Sequence, residues 1–139
     1  MRYVFLVAVA ILSQLSGFGQ KPNADSTYMR EHYDKFEYRI PMRDGVKLFT
    51  LVYMPKDKSK SWPILMNRTC YNASNYRNWD TYGHPSEYLV RDGYILVFQD
   101  VRGRYMSEGQ FTNMTPNIPG NDPKNKTAID ESSDTWDSI

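Results

Sequence analysis

The alternation of apolar and polar side chains changes period several times along the chain. In "KFEYRIPM" (35–42), Phe36, Tyr38 and Ile40 fall on one side and Glu37 and Arg39 on the other. That period of two predicts a half-buried strand. Asp44-Gly45 follows, a tight-turn pair in which both residues tolerate positive φ. "VKLFTLVYMP" (46–55) alternates again, with Val46, Leu48 and Thr50 opposite Lys47, Phe49 and Leu51, and ends at Pro55. The expectation is a β-hairpin. "PILMNRTCY" (63–71) starts as an apolar strand and turns polar toward its end. In "HPSEYLVRDG" (84–93), Pro85 suits the first helical position and Gly93 the position just past the last, which predicts a short helix. "YILVFQDV" (94–101) is apolar without alternation, the pattern of a parallel strand covered on both faces. A hairpin followed by strand, helix and strand predicts an α/β sheet with an antiparallel edge, that is, hairpin plus βαβ.

The intervening stretches are polar. Residues 20–34 read as an irregular polar arm and "KDKSKS" (56–61) as a solvated connection. Residues 102–133 show no periodicity, and a connection longer than ~15 residues without its own structure is functional or disordered. "DTWDSI" (134–139) is expected to open a helix, with Asp134 as its cap and Asp137 at capping-box spacing. Ile139 comes barely one turn in, so the expectation is a chain interrupted within a helix before completing its domain.

The first residues stand apart. Met1-Arg2 precedes the unbroken apolar stretch Tyr3–Leu12, and Gly17-Phe18-Gly19 places small residues at the positions preceding a cleavage point. This is the layout of a secretory signal peptide, predicting residues 1–19 as signal, export to the periplasm or medium, and cleavage after Gly19. Ten apolar residues are too few for a bilayer span, which needs about 20. The expected organisation is therefore signal 1–19, arm 20–34 and a single incomplete α/β domain 35–139.

Composition narrows the picture in two respects. Seventeen basic against sixteen acidic side chains give a formal charge of +1, no electrostatic case for nucleic acid or an anionic membrane. With 40% hydrophobic and 14% aromatic residues the chain can build a core. Cys70 is the only cysteine, so an intrachain disulfide is excluded. Oligomeric state is left open.

Candidate chemistry gathers at the ends of two predicted strands, where open α/β sheets place their sites. One is "NRTCYNAS" (67–74), the other "QDVRGRYMSEG" (99–109). Tyr71 is a phenol at the mouth of a strand and can donate one hydrogen bond into a cleft. Arg68, Asp100, Arg102 and Arg104 are charges where strands emerge, and Gly103 and Gly109 permit sharp turns or close backbone approach. Asp100 paired with Arg102 or Arg68 reads first as a structural ion pair. Ser107 reads as a turn serine, because the Gly-x-Ser-x-Gly setting of a nucleophile is absent around it. A Cys70–His84 thiol pair is a remote alternative to a packing cysteine, and His32 in the arm is expected to be solvated. Metal-ligand spacing and a phosphate-binding glycine loop are both missing, so no metal or cofactor is expected.

Four segments carry a resemblance: "IPMRDGVKLFTLVYMPK" (40–56), "NRTCYNA" (67–73), "RDGYILVFQDVRGRYMSEGQF" (91–111) and "DTWDSI" (134–139). Together they resemble the N-terminal part of the α-amino-acid ester hydrolases, which belong with the cocaine-esterase-like and X-Pro dipeptidyl-peptidase-like serine hydrolases. The resemblance implies an α/β-hydrolase fold, followed in the family by a helical cap and a jelly-roll domain. It implies hydrolysis of small-molecule esters or amides through a Ser-Asp-His triad. The nucleophile elbow, Gly-x-Ser-Tyr-x-Gly in this family, is absent from these residues, as are the triad acid and histidine. One site residue is implied: Tyr71 matches the tyrosine that ends strand 3 and helps stabilise the oxyanion. Cys70 stands where the family usually has proline, which frees an N–H and a φ beside the donor. A competing reading is a small secreted binding module that uses the aromatic loop 71–88, including Tyr76, Trp79 and Tyr82, as a contact surface.

Overall fold

A computed structural model describes residues 24–76, 87–113, 115–119 and 125–139. Its backbone runs α1 (Ala24–His32), β1 (Tyr33–Pro41), β2 (Lys47–Pro55), β3 (Ile64–Thr69), a 3₁₀ turn (Ala73–Tyr76), α2 (Glu87–Arg91), β4 (Ile95–Asp100) and α3 (Glu131–Asp137). The hairpin is present, with Tyr33 to Pro41 paired against Pro55 to Lys47. β3 and β4 are parallel, joined through α2 as the βαβ pattern predicts. All four strands form one sheet in the order β1-β2-β4-β3.

β4 lies inside that sheet, antiparallel to β2 and parallel to β3, so β3 is the edge opposite β1.

The hairpin turn differs from expectation. Gly45 N–H donates to the Met42 carbonyl and Met42 N–H to the Val46 carbonyl, leaving the loop Arg43-Asp44-Gly45. Only Gly45 takes positive φ, at 87°. Asp44 instead accepts a hydrogen bond from Val46 N–H, the local bonding that makes aspartate a turn former.

The two sheet faces have different fates. On one, Phe49, Leu51, Tyr53, Leu96 and Phe98 are buried and packed with Met29 of α1, Ala73 of the 3₁₀ turn and Val90 of α2. Tyr53 and Phe98 meet edge to face at 6.2 Å, a favoured aromatic geometry. On the other, the row Phe36–Val52–Val97–Met66 crosses all four strands. Val52, Val97 and Met66 are half-buried, and Phe36 is exposed. On this second face β4 is covered only toward its end, where Gln99 is buried and bonds Thr50 and Ser138, and the apolar side of β1, expected to be half-buried, has Tyr38 46% exposed.

Residues 20–34 were expected to be irregular. Their described part forms α1, and Tyr33 belongs to the core. Met29 is the buried anchor of α1 with Tyr28 packed beside it, and two adjacent apolar side chains in a polar helix leave little periodic signal. Lys56 donates to the Arg30 and Glu31 carbonyls, satisfying the end of α1 from outside it. Residues 1–19 and Pro85 lie outside the described residues.

α2 ends as anticipated. Gly93 has φ 87° and donates to the Val90 carbonyl, while Tyr94 N–H donates to that of Leu89. A Cβ at Gly93 would lie 2.1 Å from the Trp62 ring. α3, by contrast, opens earlier than expected. Asp130 is its cap, accepting from Ser133 N–H while Ser133 Oγ accepts from Asp130 N–H. The stretch from Asp130 to Asp137 offers two overlapping capping registers, and packing selects the first: Asp134 is buried as an ion-pair partner, and Asp137 binds Arg43.

Candidate functional site at the carboxyl ends of β3 and β4

The last paired residues of the parallel strands are Thr69 and Asp100. Beyond them the chains diverge into two loops, and a set of side chains stitches those loops together. On the β3 side, Tyr71 N–H donates to Thr69 Oγ1 (2.9 Å), and Asn75 Nδ2 donates to the Tyr71 carbonyl (3.1 Å). Asn72 sits at φ 80°, with its side chain accepting from Ser74 N–H. Asparagine tolerates this left-handed conformation because its amide bonds locally. Arg104, reaching from the β4 loop, donates through Nε to the Cys70 carbonyl (3.2 Å). Hydrogen bonds on both sides of Cys70 restrain this turn.

Tyr71 itself is 77% exposed, and among the described residues its hydroxyl has no hydrogen-bond partner. A solvent-facing phenol on a pinned backbone is a donor available to a ligand. Tyr105, at φ 45° and half exposed, stands on the facing loop. The Arg104 guanidinium lies over its ring at 5.1 Å and over Phe111 at 4.8 Å.

The charged candidates take structural partners. Asp100 pairs with neither Arg68 nor Arg102. Its fully buried carboxylate accepts from Ala73 N–H (2.6 Å) and Met106 N–H (3.2 Å). Arg68 donates to Gln99, to Thr135 and to the carbonyl and carboxylate of Glu131, fastening α3 to the sheet. Arg102 bridges Asp134 and Asp44, at 2.7 Å to each. Burial disfavours its charge, but the two carboxylates outweigh that, and its pKa is raised overall. Arg39 donates to the Met106 carbonyl, tying β1 to the same loop.

Ser107 is more than a turn serine. It is buried, its Oγ donating to the Asp100 carbonyl (2.7 Å) and accepting from Phe49 N–H (2.8 Å). A hydroxyl serving as both donor and acceptor on two strands leaves no pattern in local sequence. Gly103 carries the close approach anticipated for it, since a Cβ there would lie 2.0 Å from Phe111 N. His32 is exposed, and its ring lies 4.2 Å from that of Tyr28 at a tilt of 48°. Cys70 is half-buried with its thiol free. His84, Trp79 and Tyr82 lie outside the described residues, as does the Tyr76 side chain. Among the described residues, no group of three or more His, Cys, Asp or Glu side chains could hold a metal ion, and no helix is long and apolar enough to cross a membrane.

An open mixed sheet in this strand order, with paired loops at the carboxyl ends of its parallel strands, is the N-terminal part of an α/β-hydrolase-type fold. Residues 44–139 match the model of the X-Pro dipeptidyl-peptidase (S15) family, and the chain belongs to that family. Cocaine esterase from Rhodococcus sp. (strain MB1 Bresler) is 42% identical over 72 residues, 52% of this chain and 12% of its own length. A solved α-amino acid ester hydrolase superposes with TM-score 0.64 and 38% identity over 89% of this chain. An aminopeptidase from a marine sediment Thaumarchaeota archaeon gives TM-score 0.64 and 34% identity over 88%. The chain spans 21% and 20% of those two structures, respectively.

Proposed function

We propose that this chain is the segment of an exported serine hydrolase that carries the oxyanion donor. The enzyme would cleave small-molecule esters or amides, as the names of its esterase and aminopeptidase relatives suggest. One observation carries the reading: Tyr71, on a loop held by hydrogen bonds to Thr69, Asn75 and Asp100 nearby, presents a free hydroxyl at the mouth of the parallel strands. A serine supplied outside these residues would attack the carbonyl, and the phenol would donate to the oxygen as it gains charge. A preorganised donor of this kind is worth roughly 3–4 kcal/mol of barrier.

Two measurements test this. In the catalytically competent protein carrying this segment, Tyr71→Phe should lower kcat on a p-nitrophenyl or amino-acid ester by about 10²-fold while leaving KM nearly unchanged. Wild-type turnover by that variant would remove Tyr71 from the mechanism. Residues 1–139 alone should show no serine-dependent turnover of p-nitrophenyl acetate, because they hold no nucleophile elbow. Export follows from the N-terminal pattern and predicts a mature protein beginning at Gln20, which N-terminal sequencing would read directly.

A further inference from the structure

We infer that Asp100 is the positioning residue for the Tyr71 donor, an assignment that rests on the oxyanion reading above. Asp100 closes the β3–β4 ladder opposite Thr69 and is fully buried. Among the described residues its carboxylate contacts no cation. One oxygen takes Ala73 N–H, two residues beyond Tyr71, and the other takes Met106 N–H on the facing loop. Burying a charge without a counter-ion is costly, and an apolar residue would satisfy a purely space-filling role at lower cost. The carboxylate instead joins the two loops at the point where strand pairing stops. Thr69 holds the backbone immediately before the Tyr71 side chain, Asp100 holds it two residues later, and Arg104 ties the Cys70 carbonyl between them. Tyr71 is thereby carried on a short arc fixed at both ends. The side chain itself stays free to meet a ligand.

Catalysis by a fixed donor depends on placement, and misplacement by about 1 Å costs up to about 10²-fold. The distinguishing measurement is a double-mutant cycle in the catalytically competent protein, using Asp100→Asn and Tyr71→Phe. Asparagine keeps one acceptor oxygen but turns an amide toward the second N–H. Asp100→Asn should lower kcat about 10- to 100-fold with KM little changed, and it should cost almost nothing further in the Tyr71→Phe background.

Full activity in Asp100→Asn, or an undiminished loss when Tyr71 is already phenylalanine, would overturn the assignment and leave the donor role of Tyr71 standing. Wild-type activity in Tyr71→Phe would remove the donor reading and this inference together. A second measurement does not depend on the variant folding. In the unaltered protein, the Ala73 amide should exchange with deuterium far more slowly than an open loop allows, and exchange at the open-chain rate would overturn the clamp.

Discussion

Asp134 sits 3% exposed between two guanidiniums, 2.7 Å from Arg102 and 3.7 Å from Arg68. Removing one partner of a buried pair is costly because the other charge stays behind unpaired. Arg102→Ala leaves Asp134 only the longer contact to Arg68 and is expected to destabilise the fold by about 3 kcal/mol, read from the urea midpoint. Arg102→Lys should recover little of it, since an ammonium cannot reproduce a planar fork donating to Asp134 and Asp44 at once. Tyr33 gives a second test at this scale. Burial, with a smaller contribution from Tyr28, pushes its phenol up to about 12 from 10.0. Its hydroxyl donates to the Val90 and Tyr94 carbonyls. The folded pKa lies above the unfolded one, so this contribution is complete below pH 10 and is lost as pH rises toward about 12. Alkaline unfolding followed with tyrosinate absorbance should show that loss in the wild type and a weaker alkaline dependence in Tyr33→Phe.

Among the elements, α3 is the most conditional, because it is held to the sheet by polar contacts. Arg43 grips Asp137 with both nitrogens at 2.9 Å, Arg68 holds Glu131, and Gln99 links Thr50 to Ser138. The Arg43 hydrogen bond holds Asp137 below its usual 3.8, against the opposing effect of burial. The folded pKa is depressed, so the contribution is present above pH 3.8 and lost as pH falls through the lower folded value. α3 should detach early in an acid titration, seen in the fluorescence of Trp136, and Asp137→Asn should detach it already at neutral pH. The sequence made the strands legible because alternation and apolar runs are local signals. It misplaced the start of α3 because two aspartate caps overlap within one turn, and only the distant arginines decide between them. α1 is hidden for a related reason: only the neighbours Tyr28 and Met29 pack it against the core, which makes no helical period. The Tyr71 loop was legible as a motif, whereas its restraint by Asp100 arises from an edge order that no local pattern encodes.

For the whole molecule, the dominant feature is one covered sheet face and a second that is covered beside α3 and open toward the start of β3 and β4. The row Phe36–Val52–Val97–Met66 and the neighbouring Ile64, 59% exposed, form an apolar strip ending at β3, whose outer edge has no partner strand among the described residues. Such surfaces bind other apolar groups, and bare strand edges pair with one another. Residues 20–139 in isolation are expected to bind a hydrophobic dye and to self-associate with rising concentration. Phe36→Lys with Ile64→Lys should reduce both effects, measured by dye fluorescence and sedimentation. A monodisperse, dye-silent wild-type chain would show that the open face is covered by other means.

The strand order also sets a timetable for synthesis. Arg68 and Gln99, register partners on β3 and β4, lie 31 positions apart. At ~5–20 residues per second, β3 leaves the ribosome roughly two to six seconds before the strand it pairs with. The hairpin can close at once, while Ile64, Leu65 and Met66 wait beside a vacant lane. During that interval the nascent chain offers a chaperone an unpaired apolar strand, and a synonymous codon change between 69 and 100 would lengthen or shorten the offer without altering a single residue.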